Sequence, residues 1–103
     1  MAELSLDKKG LRPTILDLRD LSSVADFFVI VSGNSSTQTF AIFDHVQREL
    51  AKIGIAPNGV EGDAEGKWLL IDFVTVIMHV FAEDSRDFYS LERLWGQAKT
   101  VSL

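Results

Sequence analysis

Asp72, Thr75 and His79 are the polar side chains inside the most apolar run of the chain, Trp68 to Phe81. A buried polar group needs a partner, so these positions are the first places to look for chemistry. Two-metal chemistry needs paired acids, usually Asp-x-Asp on one strand, because two cations must clamp the attacking and leaving oxygens. Asp72 stands alone between Ile71 and Phe73. Asp63-Ala64-Glu65 has the spacing, but it lies in a glycine-bounded loop where two metals are hard to hold rigidly. Glu61, Asp63 and Glu65 also lack the longer ligand run and distal Glu of an EF-hand loop. His45 and His79 are the only histidines, and no Ser-His-Asp arrangement forms around them. With no cysteine, a thiolate metal site, a cysteine nucleophile and a disulfide framework are all excluded. The expectation is therefore no catalytic residue, no metal and no cofactor.

Two of these residues have a structural reading. A histidine in an apolar strand is most often a neutral, hydrogen-bonded core residue. One of the registers that a turn at Val74 and Thr75 allows sets Asp72 across from His79, where the two would form a buried pair that fixes the strands against each other. Trp68 stands at the open end of its strand, just after the acidic loop, where a large aromatic serves either as an interface anchor or as a cap on the core. Tyr89 and Trp95 carry the same two readings, with Trp95 leaning towards the core.

The elements that position these residues follow from patterning. The run from Trp68 to Phe81 is fourteen residues, short of the roughly 20 that cross a bilayer, and rich in β-branched and aromatic side chains. It predicts two adjacent strands, Lys67 to Phe73 and Val76 to Ala82, covered on both faces because apolar residues scarcely alternate. Upstream, residues 1–13 read as a short polar lead-in broken by Gly10 and Pro13. Thr14 to Leu18 and Asp26 to Ser32 read as strands, antiparallel because the link between them is short. Ser35 and Gln38 form a capping box that opens a helix running to about Ile53, with Phe40, Phe43, Val46, Leu50 and Ile53 on its apolar stripe and Gly54 as its stop. Gly33-Asn34-Ser35 lacks the glycines of a phosphate-binding loop, which favours a plain capped helix start over an anion site. A short strand near Gly59 to Glu61 precedes the acidic loop. A last helix starts at Glu83-Asp84-Ser85, with Phe88, Leu91, Leu94 and Trp95 as its stripe and Gly96 as its end, and 97–103 reads as a loose tail.

A chain of 103 residues with 47% hydrophobic content and no internal repeat predicts one compact domain, residues 1–103. Ten Lys and Arg stand against fifteen Asp and Glu, a net charge of −5. That sign disfavours gripping DNA or RNA phosphates and favours a basic protein partner. The N-terminus has neither a basic start followed by an apolar core nor the composition of a transit peptide, so the expected location is cytoplasmic, away from any membrane.

Several stretches in the same order and spacing resemble the Iojap family, the ribosomal silencing factors. They are Leu16-Asp17-Leu18, Leu21 to Ile30, Gly33-Asn34-Ser35, Val60-Glu61-Gly62, Trp68-Leu69-Leu70-Ile71-Asp72, Val80-Phe81 and the closing Arg86 to Trp95. The resemblance implies an α+β fold, a nucleotidyltransferase-like mixed β-sheet packed with helices, whose catalytic acids are gone. It implies a non-enzymatic role: binding the large ribosomal subunit through ribosomal protein fourteen, blocking subunit joining, and repressing translation under nutrient limitation. It points to Trp68, Leu70 and Asp72 as partner contacts, and more weakly to Glu61, Tyr89 and Glu92. The alternative reading is a residual nucleotidyltransferase or nucleotide-binding domain. Two departures stand out. Relatives commonly have Gly-Asp where this chain has Val74-Thr75, and they carry a longer N-terminal helix that contributes to self-association in some. A homodimer is thus allowed but not required.

Overall fold

The computed structural model describes residues 4, 6–21, 23, 25–89, 96 and 99–101. In chain order these form β1 (Leu11–Asp17), β2 (Phe27–Gly33), α1 (Ser36–Lys52), β3 (Gly59–Gly62), β4 (Trp68–Asp72), β5 (Val76–Ala82), α2 (Glu83–Tyr89) and β6 (Lys99–Val101). The strands make one six-stranded sheet in the order β3-β4-β5-β2-β1-β6. Its neighbours run antiparallel except β2 and β5, which are parallel. Two strands that run parallel cannot be joined by a tight turn, so the chain between them leaves the sheet through α1 and returns through the β3–β4 edge. The result is a compact α+β domain with a mixed sheet, as the family resemblance implies.

The unalternating runs have the cause expected of them. One face of the sheet carries Val29, Val31, Leu69, Ile71, Met78 and Val80, buried against Ile42, Val46 and Leu50 of α1. Full burial of side chains of this size contributes roughly 1.5–3 kcal/mol each. The opposite face carries Leu16, Phe28, Ile30 and Phe81 in a second buried cluster, with Trp68 and Ile77 packed at its margin. α2 lies against β5 and β2. Leu91, Leu94 and Trp95, expected on the last apolar stripe, lie outside the described residues.

α1 opens as its sequence predicts, with one change. Ser35 Oγ accepts from the Gln38 amide at 3.2 Å, but Gln38 Oε1 reaches past Ser35 to accept from the Asn34 amide at 2.7 Å. Gln38 Nε2 then donates to the carbonyls of Lys8 and Lys9, fastening the lead-in to the helix start. The helix ends at Lys52 rather than Ile53, which is the C-cap and is 71% exposed. Its core stripe is instead completed by Ile42 and Thr39.

Parts of the stretches read as lead-in and tail pair with the sheet. β1 begins at Leu11, and residues 99–101 form β6 along it. The register of β1 on β2 shifts between Leu11 and Thr14, where Pro13 has no N–H to offer and Arg12 has φ +49°. Arg86, almost wholly buried, donates at this irregularity to the Leu11 and Arg12 carbonyls, to Ser32 Oγ at 3.1 Å and to Thr14 Oγ1 at 2.8 Å. A guanidinium carries five donors in a fixed fork, which suits it to gathering acceptors that a distorted ladder leaves unpaired.

The β4–β5 turn is centred on Val74 and Thr75, where the sequence places it. Phe73 N donates to Val76 O at 2.9 Å, Thr75 N donates to Phe73 O at 3.0 Å, and Val74 has φ +75°. This is a γ-turn with a β-branched residue at its centre, a left-handed position that costs a residue with a Cβ about 1–2 kcal/mol. Val74→Gly removes that cost, partly offset by the greater freedom of glycine in the unfolded chain. It is expected to raise the unfolding free energy measured in urea by about 1 kcal/mol. An unchanged or lower value would show that the turn is not strained.

Candidate functional site

The β4–β5 register decides which side chains share a face. Trp68 pairs with Phe81, Leu70 with His79 and Asp72 with Ile77. Side chains alternate along a strand, so Trp68, Leu70 and Asp72 stand together on the face opposite α1, while Leu69 and Ile71 point to the α1 side. β3 extends this face, with Glu61 across from Leu70.

Asp72 and His79 are not partners. This corrects the pairing expected from the sequence, and the register gives the reason, because each faces a different residue across the hairpin. Asp72 Oδ1 instead accepts from the Val74 amide at 2.7 Å, holding the tight turn. His79 is turned to Trp68, whose indole N–H donates to His79 Nδ1 at 3.1 Å. An indole nitrogen only donates, so Nδ1 is unprotonated and the neutral imidazole carries its proton on Nε2. Burial pushes the imidazole down to about 4 from an ordinary value of 6.5. Phe28 meets the ring edge-on with centroids 4.7 Å apart, and among the described residues Nε2 has no hydrogen-bond partner.

Trp68 packs on the second cluster and also borders a groove. It is partly buried and stacks on Phe81 with centroids 5.2 Å apart and planes 28° apart, so it contributes to the second cluster. It also lines a groove of about 390 Å³ together with Glu61, Gly62, Asp63 and Leu70. Three of the predicted contact residues, Glu61, Trp68 and Leu70, are therefore brought together. Asp72 lies one step further along the same face, outside the groove lining. Tyr89 closes α2, and Glu92 lies outside the described residues.

Gly62 and Asp63, which follow Glu61, also line the groove. Gly62 sits opposite Leu69, and a Cβ there would run into the Leu69 side chain. Asp63 Oδ1 accepts from the Lys67 amide at 2.7 Å, shaping the loop that brings the chain into β4. Lys67 pairs with Glu65 at 2.9 Å, a hydrogen bond that holds its ammonium above the ordinary lysine range. The groove thus presents an indole and a leucine beside two exposed carboxylates. Among the described residues no cluster of three or more His, Asp or Glu is placed to hold a metal, and no helix is long and apolar enough to cross a membrane. At the start of α1, Ser35 Oγ takes the Gln38 amide and Gln38 Oε1 takes the Asn34 amide just ahead of the cap, a capping arrangement.

The β3–β4 edge of this α+β domain thus carries an aromatic, acid-flanked groove. The chain belongs to the family described as "Ribosomal silencing factor during starvation", which it matches over residues 1–103. It is 41% identical over 97 residues to the ribosomal silencing factor RsfS of Halalkalibacterium halodurans, spanning 94% of this chain and 83% of that protein. It is 33% identical to the chloroplastic protein Iojap of Arabidopsis thaliana, spanning 100% of this chain and 43% of that longer protein. A crystal structure of a protein from Chromobacterium violaceum superposes with a TM-score of 0.88 at 34% identity, covering 98% of this chain and 83% of the other. The family resemblance seen in the sequence is thereby confirmed.

The lowered His79 value has a consequence for stability. Its folded-state affinity for a proton is below that of the unfolded chain, so stability is full above about pH 6.5 and falls as pH drops towards 4. Between pH 7.5 and 5 the parent is expected to lose about 2 kcal/mol more unfolding free energy than His79→Asn, measured by urea denaturation. Equal losses in the two proteins would show that His79 titrates normally in the folded state.

Proposed function

We propose that this protein is a translational repressor that docks on the large ribosomal subunit through the β3–β4 face and acts by occupying space rather than by catalysing a reaction. Its partner in this reading is ribosomal protein fourteen, and its effect is to block joining of the small subunit when nutrients are scarce. The observation that carries the reading is the groove in which Trp68 and Leu70 lie beside Glu61 and Asp63. An aromatic next to carboxylates suits the stem and head of a Lys or Arg side chain from a basic partner. The net charge of −5 supports a basic protein contact over a phosphate backbone. The family name and the names of the relatives support the ribosome as the place of action. The location consistent with this role is the cytoplasm.

We read the mixed sheet as a nucleotidyltransferase-like scaffold that has lost the chemistry. Asp72, the carboxylate on β4, gives an oxygen to the hairpin turn, and no second acid accompanies it on that strand. A homodimer is compatible with docking and is not needed for it.

Co-sedimentation of the purified protein with isolated large subunits tests the proposal. Trp68→Ala is expected to weaken binding about thirtyfold, the effect of removing a central aromatic anchor, while circular dichroism stays that of a folded domain. Binding should also fall as salt is raised. A folded Trp68→Ala protein that binds as the parent does would remove the β4 face from the interaction.

A further inference from the structure

We propose that His79 is the positioning residue for Trp68: from inside the sheet it fixes the orientation in which the indole is presented to a docking partner. This rests on the docking reading above and names the group that prepares the site.

Trp68 sits at the margin of the second cluster, where one side of the ring meets protein and the groove takes the other. Stacking on Phe81 settles the plane of the indole, at 28° to that ring, but a stack tolerates sliding and turning within the plane. The hydrogen bond from Trp68 Nε1 to His79 Nδ1, at 3.1 Å, is directional and selects which edge of the indole faces inward. His79 is itself held by Phe28, edge-on at 4.7 Å, and by Phe81, nearly parallel at 6.2 Å, so the acceptor does not move.

The choice of residue at 79 points to the same role. His79 is only 4% exposed, and among the described residues its Nε2 has no hydrogen-bond partner, which costs stability that a leucine or phenylalanine there would not lose. A carboxylate acceptor would bring a charge into an apolar cluster. A neutral imidazole is the side chain that supplies an uncharged acceptor at that depth while filling the volume of an aromatic ring. An anchor already held in its bound orientation loses less freedom on docking, which appears as tighter binding without any added contact.

Nuclear magnetic resonance on the full 103-residue chain labelled with nitrogen-15 tests the assignment, with the Trp68 indole resonance identified from Trp68→Phe. In the parent, His79 is expected to be neutral with its proton on Nε2, and the Trp68 indole proton to exchange slowly with water. His79→Phe removes the acceptor. It is expected to speed that exchange at least tenfold and to lower affinity for isolated large subunits about three- to tenfold. His79→Asn keeps an acceptor near the Nδ1 position and is expected to recover both. If His79→Phe does not fold, the histidine nitrogen shifts of the parent and the behaviour of His79→Asn carry the test. A proton on Nδ1 in the parent, or indole exchange and affinity unchanged in a folded His79→Phe, overturns the positioning role. Trp68→Ala binding large subunits as the parent does overturns the docking reading instead, while the exchange measurement still decides whether His79 holds the indole.

Discussion

Trp68 stacks on Phe81 and gives its indole proton to His79, and both contacts exist only in the register that sets residue 68 opposite residue 81. A slip of one residue would turn every β4 side chain to the other face, burying Trp68 under α1 and exposing Leu69 and Ile71. The register is held from both ends. At the turn, Asp72 accepts from the Val74 amide and Phe73 donates to Val76. At the open end, Ala82 N donates to the Lys67 carbonyl at 3.0 Å. Between them, Leu69 and Ile71 are wholly or almost wholly buried against α1, so no pairing shifted by one residue keeps the apolar set inside.

From that register the proposed docking face follows. β3 joins the outer side of β4 and carries Glu61 to Leu70, while the tight approach of Gly62 to Leu69 lets the chain turn into the acidic loop without lifting off the sheet. The face is rigid where it is aromatic and solvated where it is charged. That division suits a module that approaches a basic partner through long-range attraction and then seats one preformed anchor. Stability elsewhere serves the same end, with Arg86 securing the irregular start of β1 beside β2, two strands in from the face.

Much of this was legible in the residues, and the gaps have physical causes. The strands β2, β4 and β5 announced themselves because runs such as Phe27 to Val31 and Trp68 to Phe73 must be covered on both sides. Glycine and the Ser35 cap marked the limits of α1 to within a residue. The partner of His79 was missed because registers two residues apart satisfy the same apolar alternation, and only the closed γ-turn separates Asp72 from Trp68 as the neighbour. β6 and the first residues of β1 were missed because Lys99 to Val101 and Leu11 to Pro13 hold no apolar run, and their pairing depends on strands distant in sequence. The role of Arg86 was not legible, because nothing local shows that carbonyls at the β1 irregularity accept from it. Glu61, Trp68 and Leu70 were named by the family resemblance; the pairing of β3 with β4 brings them together and adds Gly62 and Asp63.

The central claim is that the β3–β4 face is what meets the large ribosomal subunit. Hydrogen–deuterium exchange of the protein alone and with saturating large subunits tests it directly. The account predicts added protection concentrated in residues 59–72, with the outer side of α1 exchanging as before. Protection centred on α1, with 59–72 unchanged, would contradict it.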